Sequence, residues 1–252
     1  MGALLGPAIA TTLLLFGLNW RQVYFVIASL VALLVIGVGW VIVIRYPPMM
    51  RRTATSNSHA LANLRFALKT PAVLISGLFL LVAVGTEASL GNWAYTVQQV
   101  NRGISPSIAG YSISAMWLGF TIGRMLLGIL VNRWGAVRLV TASLALLAVG
   151  LLTWWLLPGQ WLSLPIIGFA IAAIFPTTIW LMPQRVPAMV VPAAIGFVTS
   201  VASLGSAIIP TTIGWVANRI GLESIPMLIL LLALALAMLH SWLMRQDISS
   251  LD

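Results

Sequence analysis

Residues 106–135 read PSIAGYSISAMWLGFTIGRMLLGILVNRWG, and residues 192–221 read PAAIGFVTSVASLGSAIIPTTIGWVANRIG. Slid over each other without a gap at an offset of 86, the two stretches share ten of thirty positions. Pro106, Gly110, Ser114, Leu118, Gly119, Ile122, Gly128, Asn132, Arg133 and Gly135 recur as Pro192, Gly196, Ser200, Leu204, Gly205, Ile208, Gly214, Asn218, Arg219 and Gly221. Such self-similarity at a fixed period marks an internal repeat. Each copy is a long apolar run opened by proline and closed by Asn-Arg-x-Gly, which are the punctuation marks of a helix start and stop.

Extended outward, the pattern accounts for the whole chain. Of 252 residues 61% are hydrophobic and 7% charged, against roughly 45–50% and 25% in an ordinary soluble domain. Eight apolar runs, at 3–18, 23–44, 73–97, 108–131, 137–157, 162–182, 193–216 and 225–244, are bounded by charges, prolines or polar clusters. A hydrocarbon core of about 30 Å takes about 20 helical residues, and helices satisfy their own backbone in lipid, so the fold class expected is an all-α integral membrane protein of eight transmembrane helices. The opening run meets its first charge at Arg21, so it lacks the basic start of a signal peptide and reads as a span.

The formal charge of +9 does not point to nucleic acid, because the 13 basic residues sit singly or in small groups between spans. The long polar stretch 45–70 carries Arg45, Arg51, Arg52, His59, Arg65 and Lys69. If it is cytoplasmic, ten of the thirteen basic residues fall inside and Arg21, Arg102 and Arg219 outside, the asymmetry of an inserted chain with both termini cytoplasmic. The repeat unit is three spans long. An odd number of crossings turns the second copy over, and inverted three-span repeats are a transporter architecture, since one unit in two orientations gives two access states.

Enzyme chemistry is poorly provided for. There is no cysteine, no H-E-x-x-H or G-x-S-x-G signature, and four acids with two histidines do not assemble a metal or acid–base cluster, so neither enzyme activity, metal nor cofactor is expected. Glu87 is the sharpest candidate: it lies about 15 residues, roughly 22 Å, into its span, where a carboxylate costs at least about 2.5–3.5 kcal/mol unless it faces a polar cavity, has a partner or is protonated. It would accept hydrogen bonds from a polar solute or carry a proton, or else tie its span to a neighbour. Trp93, Trp117 and Trp180 lie within spans, where an indole can stack on a pyranose or fill space between helices, and Asn92, Gln98 and Gln99 offer hydrogen bonds. Trp20, Trp134, Trp154, Trp155, Trp161 and Trp242 read as interfacial anchors. Arg124 is near enough to the inner end of its span to snorkel or brace the following turn, and Pro176 would free a backbone carbonyl in the sixth long run.

GILVNRWGAVR at 128–138 resembles the G-x-x-x-D-R-x-G-R-[RK] signature of the major facilitator superfamily, on Gly128, Asn132, Arg133, Gly135 and Arg138, with Asn132 in place of Asp and Ala136 in place of Arg. GALLGP at 2–7 looks like that family's fifth-helix element; VGTEASLGNW at 84–93, WLGFTIGR at 117–124, FPT at 175–177 and the Ala194–Pro210 stretch look like the seventh, eighth, tenth and eleventh helices of its fucose–proton symporter-like branch of sugar permeases. The resemblance implies helices five to twelve of a twelve-helix fold: residues 1–44 as the last two helices of the N-terminal half, 45–70 as a cytoplasmic linker, and 71–252 as the C-terminal six-helix half, with the first four helices a missing N-terminal segment. It implies transport of a small polar solute, a sugar, by alternating access with proton symport, in a lipid bilayer that is the plasma membrane, or the inner membrane of a bacterium. The rivals are a drug–proton antiporter of the same superfamily, favoured if the cargo is a lipophilic cation, and a nontransporting receptor or scaffold.

Overall fold

A computed structural model describes residues 2–45, 57–157 and 162–249. Among these residues there are ten α-helices and no strand: α1 (Gly2–Leu15), α2 (Trp20–Arg45), α3 (Asn57–Lys69), α4 (Pro71–Thr96), α5 (Pro106–Trp134), α6 (Ala136–Leu156), α7 (Ser163–Ala172), α8 (Ile174–Arg185), α9 (Val191–Ile220) and α10 (Ser224–Ser249). A single π-helical turn, Val97–Asn101, prolongs α4. Proline stands in the first turn of α4, α5 and α9, where its missing N–H loses no helical bond.

Seven helical segments are long and apolar enough to cross a bilayer, with α7 and α8 counted as one. The first expected span, 3–18, is the apolar helix α1, 14 residues or roughly 21 Å long among the described residues; it ends three residues before the expected end, where the chain turns at Phe16–Gly17 with Gly17 at φ 85°. The polar 45–70 stretch is helical from Asn57; Arg51 and Arg52 lie outside the described residues. The sixth long run is also divided, at Ala173. Pro176 has no N–H and its ring crowds the carbonyl four residues back, that of Ala172, which is where α7 ends.

The packing follows a matching order when α4–α6 are taken as one unit and α7–α10 as the other, α7 and α8 together standing for one helix. The middle helix of each copy lies on the first helix of the other: α5 on α7, and α9 on α4. The third helices follow the same rule, α6 against α7 and α10 against α4. Glycine makes both principal crossings possible. A Cβ on Gly119 would collide with the Pro165 carbonyl oxygen, and one on Gly205, its counterpart, with the Leu81 carbonyl oxygen. Small-residue contacts of this kind drive helix association in lipid, where there is no hydrophobic effect between helices.

The core between the copies is built from Phe79, Leu80, Leu147, Leu151, Trp154, Ile167, Ile174, Met182, Ile225 and Ile229, all under 2% exposed. Trp154 is therefore not an interfacial anchor; its ring lies 5.5 Å from the Arg102 guanidinium. Arg102 in turn pairs with Glu223 and donates from Nη1 to the Trp154 carbonyl at 2.8 Å, stapling the ends of α4, α6 and the turn before α10. Trp161 lies outside the described residues. α2 buries Val23 but none of its most apolar window, while α4 buries 61% of its own.

Candidate functional site

Glu87 sits on the face of α4 turned to α5 and α7. With Leu90 it lines a small pocket closed by Met116, Trp117 and Phe120 of α5 and Gly168 and Ile171 of α7. The helical period explains the grouping: Trp117 and Phe120 are three apart and share a face. Their rings meet edge to face with centroids 5.3 Å apart. Gly91, one turn beyond Glu87, leaves the space the Trp117 indole occupies, since a Cβ there would lie 3.3 Å from its Cζ2. Among the described residues no ion pair within 4 Å reaches Glu87.

Arg124 does not snorkel towards the signature turn. Its guanidinium lies 4.7 Å from the centre of the Phe120 ring, one turn back along α5 and beside the Glu87 pocket. Side chains on a helix lean towards its N-terminus, and in α5 that direction leads away from Asn132 and Arg133.

A larger cavity, about 490 Å³, adjoins on the far side of Gly91. α1 contributes Pro7, Ala10, Thr11, Leu14 and Leu15, α4 contributes Gly91 and Tyr95, and α5 contributes Pro106, Ser107, Gly110 and Ile113. α1 approaches α5 at Gly110, where a Cβ would strike Thr11, and Thr12 and Tyr111 share a hydrogen bond of 2.9 Å. Glu87, Gly91 and Tyr95 recur every four residues, so the Glu87 pocket and this cavity lie along one stripe of α4, with the Trp117 ring between them.

The other expected site residues lie elsewhere. Asn92 is exposed on the open face of α4. Trp93 turns towards α9: its Nε1 donates to the Pro210 carbonyl at 2.9 Å and its ring fills the space left by Gly214, which is the packing role. Trp180 is 57% exposed on α8 and belongs with the signature turn. It lines a cleft with Gly128, Asn132, Pro176 and Thr177, and a second with Trp134, Gly135 and Arg138. Asn132, Arg133, Gly135 and Arg138 are all exposed. Gln98, in the π turn, is buried and donates to Ser112 of α5. The structure thus brings Glu87 and Trp117 together and adds Phe120, Tyr95 and Thr11, which the sequence reading missed. The four-residue spacings Glu87–Gly91–Tyr95 and Phe120–Arg124 were the available signal. Among the described residues no cluster of metal-ligating side chains occurs.

A family model, Major Facilitator Superfamily, matches residues 1–210 and, in a second overlapping match, 98–250. The chain is 24% identical over 174 residues to Bypass of stop codon protein 6 of Saccharomyces cerevisiae, covering 64% of this chain and 35% of the relative. It is 30% identical over 144 residues to the Glucose/mannose transporter GlcP of Bacillus subtilis, covering 56% of this chain and 35% of the relative. The chain thus spans about a third of the length of these curated relatives. It belongs to the Major Facilitator Superfamily, and with its apolar helices it is a multi-pass membrane protein of a transporter family rather than an enzyme.

Proposed function

We propose that this major facilitator chain takes part in moving a small polar solute, a sugar, across a membrane by alternating access, with Glu87 as the carboxyl that binds and releases the coupling proton. The observation that carries the reading is the placing of Glu87: a carboxyl within a membrane-length helix, with no ion pair within 4 Å among the described residues, in a pocket walled by Trp117 and one indole away from a 490 Å³ cavity. Intramembrane carboxyls are functional by default because their cost must be met by a purpose. The cavity, about 490 Å³, falls within the usual range for small-molecule sites of about 300–1,000 Å³. The similarity to a glucose/mannose transporter supports the solute class.

In this proposal residues 71–252 form one six-helix half and 45–70 the cytoplasmic linker. Helices α4 to α10 then correspond to the seventh to twelfth of the twelve-helix fold, within the sugar-permease branch. The exposed face of α4 with Asn92 and Tyr95 is one wall of the solute path, and a second helical unit supplies the opposite wall, because rocking requires two bodies. A second reading, export of a lipophilic cation in exchange for protons, is favoured by one feature: Pro7, Ala10, Leu14, Leu15 and Ile113 make the cavity largely apolar.

Glu87→Gln keeps shape and hydrogen bonding while removing the titratable charge. In cells where the chain is expressed together with a second helical unit that completes the path, labelled glucose should accumulate under an inward proton gradient, and E87Q should abolish accumulation while retaining exchange. Gradient-driven accumulation by E87Q equal to the parent's would refute the coupling role. Extrusion of tetraphenylphosphonium without glucose uptake would transfer the chain to the second reading.

A further inference from the structure

We propose that α3 is an interfacial helix that docks on an anionic lipid surface, with Arg65 and Lys69 meeting headgroup phosphates while Leu61, Leu68 and Phe66 enter the boundary between headgroups and acyl chains. This goes beyond the transport reading and needs neither the solute nor the role of Glu87.

α3 is held at the level where two membrane-length helices begin. Only Thr70 separates Lys69 from Pro71, the first residue of α4. Thr70 is extended, at φ −88° and ψ 112°, so α3 does not continue the helix of α4. Midway along α3, Asn63 donates from Nδ2 to the Met189 carbonyl at 3.0 Å, two residues before α9 opens at Val191. α3 packs on both of these helices, and so bridges the starts of α4 and α9.

Those contacts use one face of α3. Asn63, Leu64 and Ala67 turn to the protein, and Ala67 is fully buried. On the uncovered side Leu61, Phe66 and Leu68 are 63%, 50% and 40% exposed. Arg65 and Lys69, both exposed and four residues apart, run between them, with Leu61 and Leu68 on one flank and Phe66 on the other. α3 contains no acid, and among the described residues no carboxylate lies within 4 Å of either cation. Water alone leaves three large apolar side chains unaccounted for, and hydrocarbon alone leaves two cations. A helix lying in the interface plane satisfies both, because its apolar side chains sink about 5–10 Å while long basic side chains reach back to the phosphates. Each such cation favours an anionic surface by about fivefold.

The test places a fluorophore on Leu61→Cys or Leu68→Cys in this cysteine-free chain, with one full chain per lipid nanodisc. Quenching is read with acrylamide, a neutral quencher in the water, and with a lipid spin-labelled near its headgroup. Replacing about a third of the phosphatidylcholine by phosphatidylglycerol should lower acrylamide quenching about threefold and raise quenching by the lipid label, given the attraction of two cations. The double substitution Arg65→Gln, Lys69→Gln should remove that dependence on phosphatidylglycerol. Salt at about 1 M, which screens charges beyond about 3 Å, should do the same with no substitution on the basic pair. Acrylamide quenching that does not respond to phosphatidylglycerol overturns the proposal, as does a response that survives both the double substitution and the salt. Shielding from acrylamide without quenching by the lipid label would mean that protein covers the face, and also overturns it.

Discussion

α5 and α9 are two copies of one helix placed in different company. Both open with proline in the first turn, both run about thirty residues, and both stop at a glycine of positive φ, Gly135 at 78° and Gly221 at 99°. Both carry a central glycine pressed on a carbonyl of the other copy's first helix, Gly119 on Pro165 and Gly205 on Leu81. Towards their N-terminal ends they part. Gly110 of α5 is covered by Thr11 of α1, whereas at Gly196 of α9 an added Cβ would meet nothing within 4 Å. Gly119 and Gly205 lie at the crossings with α7 and α4, whereas Gly110 and Gly196 lie away from those crossings, where a further helix covers the one and not the other.

The largest effect expected from breaking this comparison is at the central crossings. Gly119→Ala and Gly205→Ala each drive a methyl into backbone that cannot move alone, and each should cost about 1–3 kcal/mol, the usual range for overpacking. Reversible unfolding in mixed detergent micelles measures this, and the two losses should agree within a factor of two. A large loss at one site beside none at the other would mean that the crossings are not equivalent.

A smaller and deliberately unequal effect is expected at the outer glycines. Gly110→Ala should cost about 1 kcal/mol or more by striking Thr11, and Thr11→Ala in the same chain should recover most of it as a coupling between neighbours. Gly196→Ala should be neutral or stabilising by up to about 1 kcal/mol, since alanine is the better helix former and the space is open. The same unfolding measurement separates them, and equal losses would show that α9 is as covered there as α5.

What the sequence made legible follows from the same contrast. Seven spans and the repeat were readable because apolar length and glycine spacing are local properties imposed by lipid and by close crossings. The shortness of α1 depended on Gly17, a residue that is equally at home inside a membrane helix, and the helix α3 was hidden in a polar segment with no apolar run to announce it. The candidate site was legible in part. Glu87 and Trp117 meet because each lies on the inner stripe of its helix, but Trp180 was grouped with them on depth alone. It stands on α8, beyond the break at Ala173, and lines clefts with residues of the signature end. Arg124 was misread because span position says how far a side chain is from the surface and not which way it leans; Phe120, one turn back, held the answer.

The central claim is that the two copies are inverted, since alternating access by this architecture depends on it. Asn132 and Asn218 occupy equivalent repeat positions, both exposed, in a chain without cysteine. Asn132→Cys and Asn218→Cys, made singly, place the same thiol at the same point of each copy, and an impermeant maleimide applied to intact cells reports the side. Labelling of N218C alone, with N132C labelled only after the membrane is opened, is the result expected; labelling of both from outside, or of neither, would contradict the inversion.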